Sequence, residues 1–449
     1  MMLNVLLYSK SRFVGHLQFY SIITNLICYD FEGRVATQII VALNCDCPVR
    51  FNQGKYMRDV VVLSGVRTAI GDYGGSLQQI APADLAAKVV REAVLRAKID
   101  PNDVGHLVFG NVIHGESRDM YLARVACING GLSQHTSALA VNRLCGSGLQ
   151  AIISASQSIM LDDADVAVAG GAESMSRGGY LLPALRWGQR MNNGDTVDMM
   201  VGALTDPFDH VHMGVTAENI AEKWQISRAE QDAFALESHR RALHAINNGY
   251  FKEQILPVEI VVGKKTVFFD TDEHPREDAN LESLGKLRSI FKKEGTVTAG
   301  NASGINDSAA AVVLMESGAA RKRGLKPMAR LVAYGHAGVD PKFMGIGPVP
   351  AVQMALQRAN ITLDELDVIE SNEAFAVQAC AVAKELQFDP KKTNPNGGAV
   401  ALGHPIGATG CILTIKALYE LQRTDGRYAL VTMCIGGGQG IAAIFEKHE

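Results

Sequence analysis

The chain has 449 residues, 47% of them hydrophobic and 20% charged, which is enough for two or three packed units around a large core. A net charge of -4 and a pI near 6.3 give no electrostatic attraction to nucleic acid or to an anionic membrane, and no apolar run is long enough to span a bilayer. The eight cysteines are scattered, as expected of reduced thiols in an intracellular compartment, here taken as the cytoplasm.

Residues 1–56 mix Tyr, Phe, Asn and Cys without helical or alternating period and are read as a leader, disordered or preceding the functional start at Met57. Arg12, Arg34 and Arg50 leave room for an organellar targeting leader, while Asp30, Glu32 and Asp46 weaken that reading. Cys45 and Cys47 lack a second pair at zinc spacing, so they are read as unpaired thiols.

A strand at 59–65 opens the folded part. A helix closing on Ala93-Val94-Leu95-Arg96-Ala97-Lys98-Ile99 is followed by a strand at 105–109. Cys145-Gly146-Ser147-Gly148 then leads into an apolar helix, and a strand at 165–171 runs into glycines. The same series returns 262 residues later. Arg96 corresponds to Arg358, the strand at 105–109 to 367–371, Gly148 to Gly410, and the strand at 165–171 to 428–438. Each copy reads as strand, helix, strand, helix, strand, the pattern of a mostly parallel sheet covered by helices. An α/β fold follows, a duplicated α/β/α/β/α layered body with halves at 57–327 and 328–449.

The stretch from about 177 to 296 does not repeat and is read as a loop domain inserted in the first half. It contains the capping-box start Ser227-Arg228-Ala229-Glu230 and a charged helix on which His239 and His244 are expected to face solvent. Residues 300–316 turn small and apolar again, as a helix and strand rejoining the first sheet.

Chemistry concentrates at two cysteines beside glycine clusters. Cys145 is placed at a helix start, where the helix dipole and a nearby base lower a thiol pKa, and it is the expected nucleophile. His404, in the turn Gly403-His404-Pro405-Ile406-Gly407, is the expected base for it. Cys434, in Cys434-Ile435-Gly436-Gly437-Gly438, offers a second thiol for proton transfer if its pKa is tuned towards neutrality. Asp209, His210 and His212 are a poor tetrahedral set, and Gly436, Gly438 and Gly440 lack the downstream acid of a dinucleotide site. Neither a metal nor a nicotinamide is expected.

The blocks around Cys145, Asn372-Glu373-Ala374-Phe375-Ala376, the His404 turn and the Cys434 block, in this order, resemble the thiolase family, most closely its biosynthetic type including β-ketothiolases. The resemblance covers nearly all of the chain after Met57. It implies an acetyl-CoA C-acyltransferase that condenses acetyl-CoA with a short acyl-CoA, or cleaves a 3-oxoacyl-CoA with CoA, by a ping-pong acyl-cysteine cycle in fatty acid metabolism. Within it Cys434 would be the general acid and base, Asn372 would hold a water beside His404, and the N–H groups of Cys145 and Gly436 would form an oxyanion hole. Close approach is the reason for glycine at 436. His212, Met213, Phe375 and Ser303 would line the pantetheine and acyl path, with Arg276 and Ser283 at the nucleotide end. The implied partners are acyl-CoA, acetyl-CoA and CoA as substrates, with no permanently bound cofactor, and a second copy of the chain in a tetramer of two dimers. Two alternatives use the same scaffold. Decarboxylating ketoacyl synthases carry a histidine where this chain has Asn372 and lack the Cys434 thiol, and a non-catalytic CoA or lipid binder would be missing catalytic side chains that are all present here.

Overall fold

The computed structural model describes residues 58–448 and, before them, the backbone of Ile23–Tyr29 and Val35–Ala42. The chain divides into two compact units, Met1–Tyr56 and Met57–Glu449. In the first, Ile23–Tyr29 and Val35–Ala42 pair antiparallel, a ladder the aperiodic sequence gave no sign of. The rest of the expected leader, with Cys45, Cys47 and Met57, lies outside the described residues.

Nine principal strands build the sheet of the second unit. They are β1 (Val60–Thr68), β2 (His106–Gly110), β3 (Ser137–Val141), β4 (Val166–Ser174), β5 (Asn306–Glu316), β6 (Ala329–Gly338), β7 (Val368–Ser371), β8 (Tyr428–Ile435) and β9 (Gln439–Lys447). Their order is β7-β8-β9-β6-β1-β5-β4-β2-β3, and the halves join where β6 pairs with β1 through Ala329–Val62 and Arg330–Val61. The expectation of a mostly parallel sheet is corrected. Only β2 with β3, β2 with β4, and β7 with β8 are parallel among these neighbours; the other ladders are antiparallel. The cause at one edge is short-range. Gly436, Gly437 and Gly438 turn β8 straight back into β9, and a turn that short can only join antiparallel strands.

The main helices are α1 (Pro82–Ala97), α2 (Leu122–Asn129), α3 (Ser147–Met160), α4 (Met213–Trp224), α5 (Arg228–Asn247), α6 (Pro348–Ala359), α7 (Ala376–Leu386) and α8 (Thr409–Thr424). The repeat is a repeat of structure: 262 residues separate the starts of β2 and β7, of α3 and α8, and of β4 and β8, and the ends of α1 and α6. Helices α3 and α8 pack on each other and on strands of both halves, forming a central layer, while α1 with α2 and α6 with α7 cover the outer faces. Strands caught between two helix layers should be apolar on both sides, and every residue of β1, β4 and β8 is buried.

Within the expected insertion, α5 opens with the anticipated capping box, Ser227 Oγ accepting from Glu230 N. His239 differs from expectation. It is 5% exposed and its Nδ1 accepts from Arg276 N, because α5 turns a face of Ala235, Ser238, His239, Ala242 and Ala245 into the protein; His244 is exposed as expected. The segment before β5 carries no helix where one was expected. The insertion is tied to β1 by a buried pair: Arg67 Nη1 and Nη2 donate to Asp272 at 2.7 and 2.9 Å, and Arg67 Nε donates to Gln254 at 2.9 Å. Both charged side chains are fully buried. Arg67→Met therefore leaves the Asp272 carboxylate uncompensated and is expected to cost about 3–5 kcal/mol, read as a lower urea midpoint at an unchanged slope.

Candidate active site

All four motif blocks arrive at one place because the repeat puts them there. Cys145 precedes α3, His404 precedes α8, Asn372 follows β7 and Cys434 lies at the end of β8, so strand ends and central-helix starts converge. The carboxyl ends of strands are where an α/β sheet opens to ligands.

The backbone presents Cys145 at a bend. Leu144 adopts φ 45°, a left-handed conformation costly for leucine, and the turn around it is closed by hydrogen bonds. Leu144 N donates to Asn142 Oδ1, Arg143 N to Ser147 Oγ, and Ser147 Oγ to Leu144 O. α3 begins at Ser147, so Cys145 sits just ahead of the helix. The N–H groups of Gly436 and of Cys145 itself are directed at the sulfur and favour a thiolate, yet burial outweighs them and pushes the thiol up to about 11. The expected lowering of the Cys145 pKa is thus corrected: desolvation of the anion wins over the dipoles.

His404 is buried, and burial lowers its pKa to about 4. Its tautomer follows from its neighbours. Thr409 Oγ1 gives its one proton to Pro405 O at 2.9 Å, so it accepts from His404 Nδ1 at 2.7 Å. The Nε2 lone pair is left facing Asn372 Nδ2, which is 3.4 Å away. Cys145 and His404 therefore rest as neutral thiol and neutral imidazole. Replacing Thr409 by valine strips Nδ1–H of its acceptor in a buried site; kcat is expected to fall about tenfold with KM for CoA unchanged, measured by steady-state thiolysis.

Asn372 is fully buried, its N–H donates to Thr432 O at 2.9 Å, and its Oδ1 has no hydrogen-bond partner among the described residues. Cys434 is also fully buried and packs with Met213, Ala374 and Phe375. Burial, with the neighbouring Cys145, pushes its thiol above the ordinary range instead of towards neutrality, a second correction with the same cause. At Gly436 an added Cβ would lie 2.8 Å from Met213 Cε and 3.2 Å from Leu144 Cδ1, so it would crowd the sulfur's surroundings, though the methionine tip can yield. The stricter glycines are its neighbours: Gly437 and Gly438 have φ of 80° and 83°, and a Cβ on Gly438 would meet Val339 O at 2.4 Å.

A cavity of about 330 Å³ brings together Cys145, His404, Gly436, His212, Met213, Ser303 and Phe375 of the anticipated residues. Its remaining wall is mostly apolar, with Leu204, Phe291, Ile305, Met344 and Ile406. The His212 ring stacks on Phe291 at 4.6 Å, its Nδ1 accepts from Gly214 N, and burial lowers its pKa. Arg276 and Ser283 are exposed and do not line this cavity; Arg276 pairs with Asp72 at 3.8 Å, and Ser283 closes a short turn with Asn280. Sequence reasoning missed Phe291, Met344, Thr409 and Asn306, whose Oδ1 accepts from His404 N at 2.9 Å and fills the space a Cβ of Gly403 would need. Among the described residues no cluster of His, Cys, Asp and Glu could hold a metal, and no helix is long and apolar enough to cross a membrane.

A sheet duplicated around two paired helices, with two thiols, a buried imidazole and a buried amide at the junction, defines an acyl-transfer scaffold of the thiolase type. The chain belongs to the thiolase family: the model of the thiolase N-terminal domain matches residues 60–318 and that of the C-terminal domain residues 325–447. Beta-ketothiolase BktB of Cupriavidus necator is 67% identical over 391 residues, spanning 87% of this chain and 99% of that protein. An acetyl-CoA acetyltransferase of Syntrophomonas wolfei is 47% identical over 394 residues, with 87% and 99% covered. Among solved structures, human mitochondrial 3-ketoacyl-CoA thiolase in complex with CoA superposes with a TM-score of 0.85 at 43% identity, covering 87% of this chain and 98% of that one.

Proposed function

We propose that this chain is an acyl-CoA:acetyl-CoA C-acyltransferase, a β-ketothiolase, in which Cys145 carries the acyl group and Cys434 moves the proton at C2. The observation that carries the reading is a half-buried thiol, Cys145, on the wall of an apolar cavity with the buried His404 imidazole, and a second, fully buried thiol, Cys434, close enough to feel its charge. In thiolysis Cys145 Sγ adds to the C3 carbonyl of a 3-oxoacyl-CoA as its proton passes to His404 Nε2. The oxyanion that forms is met by the N–H groups of Cys145 and Gly436, which already point at the sulfur. The C2–C3 bond then breaks, its electrons pass into the thioester enolate, and Cys434 gives its proton to C2, releasing acetyl-CoA. His404, now carrying Nε2–H, and a water accepted by the free Asn372 Oδ1 are the donors for the enolate oxygen.

In the second half-reaction CoA–SH gives its proton to the Cys434 thiolate, its sulfur attacks the acyl-cysteine, and Cys145 leaves and regains the proton held by His404. Condensation is the same path reversed. CoA and acyl-CoA enter as substrates, the pantetheine passing His212, Met213, Ser303 and Phe375. An apolar, exposed arm including Tyr180, Leu181, Leu182, Leu185 and Trp187 supports assembly with further copies of the chain, here taken as a tetramer of two dimers. The reading also places the enzyme in fatty acid metabolism in the cytoplasm.

The test is CoA-dependent cleavage of acetoacetyl-CoA, 3-oxovaleryl-CoA and 3-oxohexanoyl-CoA, with Cys145→Ala as control. Cleavage by the wild type alone supports the reading, and the relative rates give the acyl range; no cleavage of any of the three overturns it in favour of a CoA-binding protein.

A further inference from the structure

Glu173, near the end of β4, is fully buried and forms no salt bridge among the described residues. Its Oε1 accepts from Ile113 N at 3.0 Å and Asn111 Nδ2 at 3.1 Å, and its Oε2 from Val112 N at 3.1 Å and Gly407 N at 2.8 Å. The Asn111 amide nitrogen also donates to Ala172 O at 3.0 Å, so all four neighbours are donors and none can accept a carboxyl proton. That is a carboxylate's site. Glycine at 407 is what permits it, since a Cβ there would lie 2.5 Å from Glu173 Oε2.

The connection crosses the duplication. Glu173 belongs to the first half and Gly407 to the second, three residues after His404, and the main chain of Gly407 is so close to β4 that a Cβ on Gly171 would meet Gly407 O at 2.0 Å. Asn306, also from the first half, holds the other end of the same turn at His404 N. Cys145 lies within the field of Glu173, whose charge, when present, opposes formation of the thiolate.

We propose that Glu173 is a positioning residue for the reaction, a buried acid that pins the His404 turn to the first half and, when ionised, opposes the Cys145 thiolate. Burial and Asp119 raise the Glu173 pKa to about 8, below the value of about 11 for Cys145, so the carboxylate is charged where the thiol titrates. The other titratable groups facing the thiol are Cys434, His404 and His212; the nearest cation in sequence, Arg143, acts on His336.

The inference rests on Cys145 as the nucleophile, and two variants of the full chain separate its parts. Glu173→Gln removes the charge and places an amide N–H₂ against two N–H donors. Its kcat in thiolysis should fall about 10²-fold at unchanged KM, while the Cys145 pKa, read from iodoacetamide alkylation against pH, falls by about one unit. Glu173→Asp keeps the charge but shortens the reach, so kcat should fall with the alkylation pKa as in wild type; it also serves if the glutamine variant does not fold. Loss of thermal stability with wild-type kcat per alkylatable site and an unmoved pKa in both variants would show a merely structural residue and overturn the proposal. A wild type that cleaves no 3-oxoacyl-CoA would instead sink the function itself.

Discussion

Cys145→Ala is expected to lower the thiolysis rate by about 10⁴-fold or more while CoA binds within about twofold of wild type. The asymmetry follows from position. The sulfur is at one wall of the cavity, whereas the walls built from His212, Phe291, Met344 and Phe375 are untouched by removing one atom. Calorimetric titration with CoA and a coupled thiolysis assay on the same preparation measure both; a variant within tenfold of wild type would remove Cys145 from the mechanism.

The same site predicts how the wild-type thiol titrates. With Cys145 raised to about 11 and His404 lowered to about 4, the free enzyme holds neither a thiolate nor an imidazolium through the physiological range. The thiolate fraction, and with it alkylation by iodoacetamide, should rise about tenfold per pH unit through neutrality. A plateau near pH 7 would reveal a resting thiolate–imidazolium pair and contradict the neutral one. The direction also shows where substrate must help: its developing oxyanion, met by the Cys145 and Gly436 N–H groups, offsets the cost of moving the proton to His404.

The legible and the illegible parts of this chain differ in physical kind. The layered body was readable because duplication doubles a weak signal: one helix before one glycine-rich strand means little, but Arg96 with Arg358 and Gly148 with Gly410 share one spacing. Strand direction was harder to read, since it depends on which neighbours pair, and only the glycines at 436–438 marked a hairpin in the sequence. Thr409 was missed although the repeat contained the clue. It stands 262 residues after Ser147, and both hydroxyls bond back to a preceding carbonyl at the start of a central helix. The burial of His239 was also available, in the small residues three and four positions away at Ala235 and Ala242. The thiol pKa values had no such trace. Dipole and base can be read from neighbours in sequence, but desolvation is set by residues such as Met213 and Phe375, which lie far from Cys434 along the chain.

Cys434→Ala is expected to divide the reaction. Transfer of an acyl group between Cys145 and CoA needs the first thiol, His404 and the N–H groups, all of which remain, so acylation of Cys145 by acetyl-CoA should persist, slowed by about one to two orders of magnitude. Cleavage of the C2–C3 bond needs a proton delivered to C2, and there the loss should be about 10³-fold or more. The raised pKa of Cys434 supports this assignment, because a thiol that keeps its proton is ready to protonate the carbanion as it forms. Trapping of acetyl-enzyme by mass spectrometry, beside the rate of acetoacetyl-CoA cleavage, separates the two steps. Equal losses in both would mean that Cys434 supports Cys145 alone, whereas a fully active variant would hand the C2 proton to another group, such as His404 on the cavity wall.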